Sequence, residues 1–254
     1  MKIDASSSGQ RQVSVTGLDN DSNRNLDIAR WIDRVHEQDQ LLEGIKAQRP
    51  LLEVVGASGF GKSWLAAWVY EQVKSQCDVE SQFDRALWVN FRKVPSFNQF
   101  SRWVLQEIGF LLDERTSDED LIGELVYRLG DRGQVLLVMD QLEVIQESPD
   151  SDSFVRFLER WQHRGRKSTV LVTTQRSLLK GESAAIDCLN LAGLSATEGE
   201  TLLRQNYQIN QAIDNGLSRL VEVAGGHPLL LNLAANWLKQ ESRTAVDSTS
   251  LVFF

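Results

Sequence analysis

Cysteine is scarce in this chain of 254 residues, which contains only Cys77 and Cys188. Two cysteines cannot build a disulfide framework, and their scarcity suits a reducing compartment, so we expect a cytoplasmic protein. Long hydrophobic runs are also lacking, since no segment approaches the roughly 18 apolar residues that a membrane span needs. The polar first residues, 1–10, contain no apolar stretch of the kind found in signal peptides. We therefore expect a soluble protein with no membrane partner.

A surplus of positive charge is missing as well. Lys and Arg number 27 against 35 Asp and Glu, which gives a net charge of −8 and a pI near 5.0. A nucleic-acid partner is not expected, because without a basic face the protein gains no counterion release. Arg164, Arg166 and Lys167 are either a local basic patch or a solvated loop.

One segment carries a specific chemical signal. Residues 56–63 read GASGFGKS and match G-x-x-x-x-G-K-[ST], directly after the apolar run 51–55. Glycines at these positions let backbone N–H groups surround a phosphate chain at a helix N-terminus. The lysine reaches the β- and γ-phosphates, and the hydroxyl that follows it is a ligand for Mg²⁺. A nucleoside di- or triphosphate site is predicted at Gly56, Ala57, Ser58, Gly59, Phe60, Gly61, Lys62, Ser63 and Trp64.

Strands and helices alternate along most of the chain, which predicts an α/β fold with a parallel sheet and helices on both faces. A complete extra strand is predicted in the chain between the phosphate-loop strand 51–55 and the apolar run 135–139. This indicates the class of P-loop folds in which another strand lies, in the sheet, between the phosphate-loop strand and the acidic strand. The five predicted strands are Leu51–Val55, Ala86–Phe91, Val135–Met139, Thr169–Thr173 and Ala185–Leu189. The main predicted helices run from Asp33 to Ile45, Phe100–Leu112, Asp118–Leu129 (capped by Thr116 and Glu119) and Ser153–Gln162.

After Leu194 the pattern becomes purely helical, beginning with the capping box Ser195-x-x-Glu198. Further helices are predicted over Ile213–Val223 and from Pro228 onward. We therefore expect a P-loop domain over residues 27–194 and a small helical subdomain over 195–241. Residues 1–26, with a short strand at Gln12–Thr16, are expected to form a flexible lead-in, and 242–254 a tail that ends in four apolar residues.

Two acidic residues follow the apolar strand 135–139. Asp140 either holds Mg²⁺ at the sheet edge beside the phosphate loop or simply ends a buried strand, and the phosphate loop favours the metal. Hydrolysis also needs a group that positions the attacking water. Because the residue after Asp140 is Gln141, we predict this role for Glu143, with a solvent-facing side chain as the alternative. The missing adjacent acid indicates slow turnover.

Two other polar positions have open assignments. Arg176 ends the segment Val172–Arg176 and is either a γ-phosphate contact or a surface side chain. His227 lies between two glycines and Pro228, at the start of a helix. It is either a nucleotide sensor or an ordinary capping residue.

Together these segments resemble the NB-ARC branch of the STAND NTPases, which includes apoptosome ATPases, plant resistance proteins and bacterial signalling ATPases. The similarity spans roughly residues 30–240 and keeps the order of the family motifs. It begins with Trp31-Ile32-Asp33-Arg34 and continues through the phosphate loop and the strand Arg85–Asn90. It then includes Val135–Glu143, the segment Val170–Arg176 with one residue inserted relative to the family pattern, and Gly226-His227-Pro228-Leu229.

The resemblance implies that Ile32 and Arg34 border an adenine site, with Pro228 on its other side. It implies the cofactors ATP or ADP with Mg²⁺, and catalytic roles for Lys62, Asp140, Glu143 and Arg176, with Ser63 and Asp140 on the metal. ADP would clamp the core and the helical subdomain together. Exchange for ATP would release them for assembly into a homo-oligomer with an unidentified signalling partner protein.

Three functions compete at this point. The first is a nucleotide-dependent signalling switch with slow ATP hydrolysis. The second is a nucleic-acid-linked ATPase of the initiator or transcription-regulator type, which the net charge of −8 disfavours. The third is a scaffold that binds nucleotide without cleaving it, or a fragment of a longer protein.

Overall fold

A computed structural model describes residues 32–76, 83–92, 96–113, 115–131, 134–164, 167–179, 186–207 and 214–237. The elements alternate along the chain as the sequence pattern predicts. In order they are α1 (Val35–Lys46), β1 (Leu51–Val55), α2 (Lys62–Gln76), β2 (Arg85–Asn90), α3 (Phe97–Glu107), α4 (Asp118–Asp131), β3 (Val135–Asp140), a 3₁₀ helix (Leu142–Glu147), α5 (Ser151–Arg164), β4 (Thr169–Thr174), β5 (Ile186–Asn190), α6 (Ala196–Tyr207) and α7 (Asp214–Val223). A last helix, α8, covers residues 228–237.

The five strands form one sheet in the order β2-β3-β4-β1-β5, and every pairing is parallel. The prediction of a five-stranded parallel sheet is confirmed. The strand between the phosphate-loop strand β1 and the acidic strand β3 is β4, so the fold has the additional-strand arrangement. All strands run in one direction, and their carboxyl ends therefore meet at one edge.

Both faces of the sheet are covered, which explains why β3 and β4 are buried throughout. Helix α2 lies on one face, where Leu65 and Val69 pack with Leu52 and Val138. Helices α3, α4 and α5 cover the opposite face. An aromatic cluster from α3, α5 and the residue after β2 lies there. Its members are Phe91, Phe97, Phe100, Phe154, Phe157 and Trp161.

The helices after the sheet, α6 to α8, have a small core of their own, and we call these helices the helical subdomain. This core contains Ile32, Leu194, Leu202, Leu203, Leu217, Val221, Leu231 and Ala235. The predicted capping box is present: the Ser195 N–H donates to a Glu198 carboxylate oxygen at 2.7 Å, and the Glu198 N–H donates to Ser195 Oγ at 3.3 Å. The glycine turn before α8 contacts the segment that follows β5, since the Leu194 N–H donates to the Gly226 carbonyl at 2.7 Å.

Helix ends differ from the predictions where local capping decides them. Helix α3 begins at Phe97 because Ser96 Oγ accepts the Gln99 N–H at 3.2 Å, and it ends at Glu107 before Gly109, which has φ of +90°. The Thr116 cap of α4 was wrong, since Ser117 caps the helix and its Oγ accepts the Asp120 N–H at 3.2 Å. The predicted strand 12–16 and the apolar residues 251–254 lie outside the described residues. Among the described helices, none has the length and apolar character needed to cross a membrane.

Glu53 is an acidic residue in the middle of β1, an interior strand of the sheet, and it is 1% exposed. Its Oε1 has no hydrogen-bond partner. Burial raises the pKa of the Glu53 carboxyl, an effect that a hydrogen bond with Ser177 partly offsets. Burial also raises the pKa of the Cys188 thiol on the neighbouring strand, and the Glu53 charge adds to it. Ionised Glu53 therefore destabilises the folded protein.

Replacing Glu53→Gln should make stability less sensitive to pH. The unfolded chain releases this proton near pH 4.5, whereas the folded chain holds it to higher pH, so the wild type loses stability as pH rises above that value. The free energy of unfolding of the variant should therefore rise relative to that of wild type between pH 4 and pH 8. Urea unfolding at both pH values measures the change, with the exposed Glu147→Gln as the control. A difference between wild type and variant that is equal at both pH values would contradict it.

Candidate phosphate and magnesium site

The loop between β1 and α2 contains two glycines in the left-handed region. Gly59 and Gly61 have φ of +81° and +96°, a region that favours glycine. No atom lies within 4 Å of the position that a Cβ on Gly61 would take, so this part of the loop is open. Lys62 is buried, and its Nζ donates to the carbonyls of Gly56 at 2.8 Å and Ala57 at 3.0 Å. The ammonium group thus lies within the loop, at the start of α2.

Asp140 is the centre of a set of hydrogen-bond donors. Its Oδ1 accepts from Ser63 Oγ at 2.7 Å and from Thr173 Oγ1 at 2.6 Å. Its Oδ2 accepts from Asn90 Nδ2 at 3.0 Å. These side chains come from α2 and from the carboxyl ends of β2, β3 and β4, so the sheet edge brings them together as the sequence predicted for Ser63 and Asp140.

Burial changes the proton affinity of both charged groups in this site. It raises the pKa of Asp140, while the hydrogen bonds from Ser63 and Thr173 oppose the rise and the nearby Glu143 charge adds to it. Burial lowers the pKa of Lys62, and the negative charges of Glu143 and Asp140 oppose that shift. Glu143 is therefore close enough to act electrostatically on the predicted phosphate and metal residues.

The turn after Asp140 explains how Glu143 reaches the site. Gln141 has φ of +64° and ψ of +46°, a left-handed conformation that is uncommon for residues other than glycine. Its N–H donates to Thr173 Oγ1 at 2.9 Å. The 3₁₀ helix that follows directs Glu143 inward. Glu143 Oε2 is buried without a hydrogen-bond partner, so the solvent-facing alternative is excluded for this oxygen.

The end of β4 presents glutamine, rather than arginine, to Glu143. Gln175 Nε2 donates to Glu143 Oε1 at 3.2 Å. Arg176 is exposed, and its backbone folds back on Thr174, whose Oγ1 donates to the Arg176 carbonyl at 2.8 Å. The Arg176 side chain takes no part in the contacts that join the four predicted site residues Lys62, Ser63, Asp140 and Glu143.

Arg34 lies at the other side of the loop and is 2% exposed. Its Nη2 donates to the Ala192 carbonyl at 2.7 Å, and its Nε is 3.8 Å from a Glu37 carboxylate oxygen. Nε and Nη1 are buried without hydrogen-bond partners. Ile32 packs into the core of the helical subdomain. Both residues thus adjoin the junction between the sheet and this subdomain.

His227 joins the helical subdomain to the phosphate loop. Its ring contacts the Phe60 ring edge-on, with centroids 4.8 Å apart. Its Nδ1 accepts the Leu230 N–H at 3.4 Å, so the residue also caps α8, where Pro228 is the first residue. A Cβ on Gly59 would lie 2.5 Å from His227 Cε1 and 3.0 Å from Leu229 Cβ. The absence of a side chain at Gly59 therefore permits this contact.

The contacts that four residues make in this site were not predicted from the sequence. Asn90 and Thr173 are polar residues at strand ends, and the parallel-edge rule that selected Asp140 selects them too. Gln175 and the contact of His227 with the loop had no comparable signal, because each depends on how a turn is folded. Trp64 is half-buried on α2, while Ala57 and Ser58 are exposed.

Gly59→Ala should destabilise the protein more than an ordinary left-handed glycine replacement. Gly109 provides the comparison, because it has φ of +90° and no atom lies within 4 Å of the position that its Cβ would take. We expect Gly109→Ala to cost about 1–2 kcal/mol from backbone conformation alone. Gly59→Ala should cost about 1–3 kcal/mol more, because the methyl group collides with His227. Urea unfolding gives both values.

A second substitution separates the collision from the backbone effect. His227→Ala in the Gly59→Ala background should recover part of the loss, because it removes the ring that the methyl group meets. Equal losses in Gly59→Ala and Gly109→Ala would contradict the contact between the loop and the helical subdomain.

Several solved structures have a similar fold. A Pyrococcus horikoshii signal transduction ATPase with numerous domains (STAND), which has a tetratricopeptide repeat sensor, matches with a TM-score of 0.60 and 22% identity over 80% of this chain and 29% of that chain. A chain of the Drosophila origin recognition complex (ORC) bound to DNA matches with a TM-score of 0.62 and 14% identity, covering 95% and 66%. The Aeropyrum pernix ORC1 protein in complex with DNA matches with a TM-score of 0.55 and 17% identity, covering 83% and 61%. These similarities concern the fold, and the chain spans less than a third of the STAND protein.

The sequence itself matches the NACHT domain over residues 51–209, which is more than half of the chain. No curated protein matches it. The broader STAND assignment from the sequence motifs is supported, whereas the NB-ARC branch and a bacterial source are not confirmed. The chain belongs to the NACHT family, within the STAND class of P-loop NTPases.

Proposed function

We propose that this chain is the nucleotide-binding part of a signalling switch that binds ATP or ADP with Mg²⁺ and hydrolyses ATP slowly. The nucleotide lies between the α/β core and the helical subdomain. The observation that carries the proposal is the arrangement of Lys62, Ser63 and Asp140 around an open glycine loop.

The phosphate loop supports polyphosphate binding by its geometry and its charge. Lys62 Nζ is held by two loop carbonyls, which are neutral acceptors. A phosphate oxygen carries a full charge and forms stronger, charge-assisted hydrogen bonds with ammonium. Lys62 therefore has a strong preference for phosphate over its present partners, and the N-terminus of α2 adds favourable electrostatic potential.

The oxygen atoms of Ser63 and Asp140 fit Mg²⁺. A hydroxyl and one carboxylate are hard oxygen ligands, and Mg²⁺ in such sites keeps water and phosphate oxygens as its other ligands. Over the described ranges no group of three or more His, Cys, Asp or Glu residues could hold a metal without such help. When bound, Mg²⁺ would neutralise phosphate charge, while Thr173 and Asn90 hold the Asp140 carboxylate in place.

Arg34 supports a base site between the two parts of the chain. Its buried Nε and Nη1 are donors without hydrogen-bond acceptors, and a buried donor without a partner is unfavourable. Ring nitrogens of adenine are acceptors, so the base can satisfy these donors. Ile32 and Pro228 provide apolar surface at the same junction, with Pro228 carried on the turn that contacts the phosphate loop.

The contact between His227 and Phe60 supports a switch. A nucleotide that changes the loop conformation also changes the surface on which His227 and Leu229 rest. ADP would hold the subdomain against the core, and ATP would favour release and homo-oligomer assembly. The proposal also includes an unidentified signalling partner protein and a cytoplasmic location. It places the P-loop domain at residues 27–194 and the helical subdomain at residues 195–241.

Lys62→Ala should weaken nucleotide binding by about 100-fold or more, because charge-assisted hydrogen bonds to phosphate are lost. Isothermal titration with ADP and with ATP, each with and without Mg²⁺, measures the affinity. Lys74→Ala replaces an exposed lysine of the same helix and should bind like wild type. Asp140→Asn should retain nucleotide binding but lose most of its dependence on Mg²⁺. Unchanged affinity in Lys62→Ala would end the proposal.

The alternative of a scaffold that never cleaves nucleotide is tested at Glu143. As the group that positions water, it contributes roughly 100-fold or more to the rate. Glu143→Gln should therefore slow single-turnover ATP hydrolysis by about that factor and leave ATP affinity within twofold of wild type. A wild-type protein that binds ATP with no measurable hydrolysis would establish the scaffold instead.

A nucleic-acid-linked function is the second candidate, because two similar structures are origin-recognition proteins bound to DNA. The net charge of −8 opposes it. DNA that stimulates ATP hydrolysis, with an effect that falls steeply as salt is raised, would favour this candidate over the signalling switch.

A further inference from the structure

We propose that Gln175 is a positioning residue that holds Glu143 in place for its action on water. This role rests on the proposed function, since it concerns the hydrolysis step at the same site. Gln175 places a neutral amide directly after Thr173 and Thr174 of β4. The resemblance to the STAND motifs predicts an arginine at this position.

The end of β4 attaches to the acidic turn at two points. Thr173 Oγ1 accepts the Gln141 N–H at 2.9 Å and donates to Asp140 Oδ1 at 2.6 Å. Two residues later, Gln175 Nε2 donates to Glu143 Oε1 at 3.2 Å. The first attachment fixes the backbone of the turn, and the second fixes the side chain that projects from it.

Only one of the two Glu143 oxygens is used by this contact. Oε1 accepts from Gln175, while Oε2 is buried and has no hydrogen-bond partner. Oε2 therefore has no protein donor among the described residues, and we assign this unused acceptor to the attacking water of the nucleotide-bound site. Glu143 also acts electrostatically on Lys62 and Asp140, so its carboxylate lies near the residues proposed to hold phosphate and Mg²⁺.

A neutral donor suits this position better than a charged one. An arginine at residue 175 would form an ion pair with Glu143 and stabilise its ionised form, which weakens it as a base. The Gln175 amide orients the carboxylate without neutralising it. Gln175 and Arg176 are both exposed, and it is the Gln175 amide that reaches Glu143, so the insertion that moves arginine by one residue also creates this contact.

The test uses Gln175→Met, which keeps the length of the side chain and removes its donor. Its control is Gln146→Met, which alters an exposed glutamine of the 3₁₀ helix that carries Glu143. Single-turnover ATP hydrolysis and the Kd for Mg·ATP are measured for wild type and both variants. We expect Gln175→Met to lower the rate by about tenfold or more with Kd within twofold of wild type, and Gln146→Met to change neither.

Combination with Glu143→Gln identifies the partner through which Gln175 acts. In that background Gln175→Met should cause no further loss of rate, because the carboxylate that it orients is gone. In the nucleotide-free protein, the Tm changes of Gln175→Met and Glu143→Met, which removes the acceptor, should fail to add.

The outcomes separate this inference from the proposed function. Equal hydrolysis rates for Gln175→Met and Gln146→Met would overturn the role of Gln175 and leave the switch intact. A parallel loss of ATP affinity and rate, or additive Tm changes, would also overturn it. A wild-type protein that fails to bind nucleotide would instead refute the proposed function.

Discussion

The chain turns sharply between β1 and α2, and most of the site depends on this turn. Left-handed glycines at Gly59 and Gly61 make the turn possible. The same turn encloses the Lys62 ammonium group between the Gly56 and Ala57 carbonyls. Because Gly59 has no side chain, His227 of the helical subdomain also approaches the loop. Phosphate binding and contact between the two parts of the chain thus share one segment.

The parallel sheet supplies the rest of the site by bringing four strand ends to one edge. Insertion of β4 between β1 and β3 is what allows Thr173 to bridge Asp140 and Gln141. Asn90 holds the second oxygen of Asp140 from the other side. Asp140 is buried, and the hydrogen bonds from these donors compensate for the hydration that its carboxylate loses. Asp140 thus accepts from several side-chain donors, whereas Gln175 is the side-chain donor that contacts Glu143 among the described residues.

The sequence predicted the parts of this protein that depend on local pattern. The phosphate-loop spacing selected Lys62 and Ser63, and the apolar run before Asp140 placed that residue at the end of β3, where it contacts Ser63. The strands agree with prediction within about one residue, because buried parallel strands are almost wholly apolar. Helix starts were less accurate. Capping at Ser96 and Ser117 depends on side-chain geometry that neighbouring Ser and Thr residues could equally supply.

Contacts between distant segments could not be predicted from the sequence. The inward direction of Glu143 follows from the left-handed Gln141, a conformation that few residues other than glycine adopt and that no pattern signalled. The partners of Gln175 and His227 depend on which strand lies beside β3 and on how the subdomain rests on the loop. The proposed adenine site likewise depends on the contact of Arg34 with Ala192, which are far apart in sequence.

A crystal structure with ADP and Mg²⁺ at saturating concentration tests the central claim most directly. The account predicts phosphates within the loop, Lys62 Nζ moved from the Gly56 and Ala57 carbonyls onto phosphate oxygens, and Mg²⁺ beside Ser63 and Asp140. Lys62 still bound to both carbonyls, with the loop empty at full ligand excess, would contradict it.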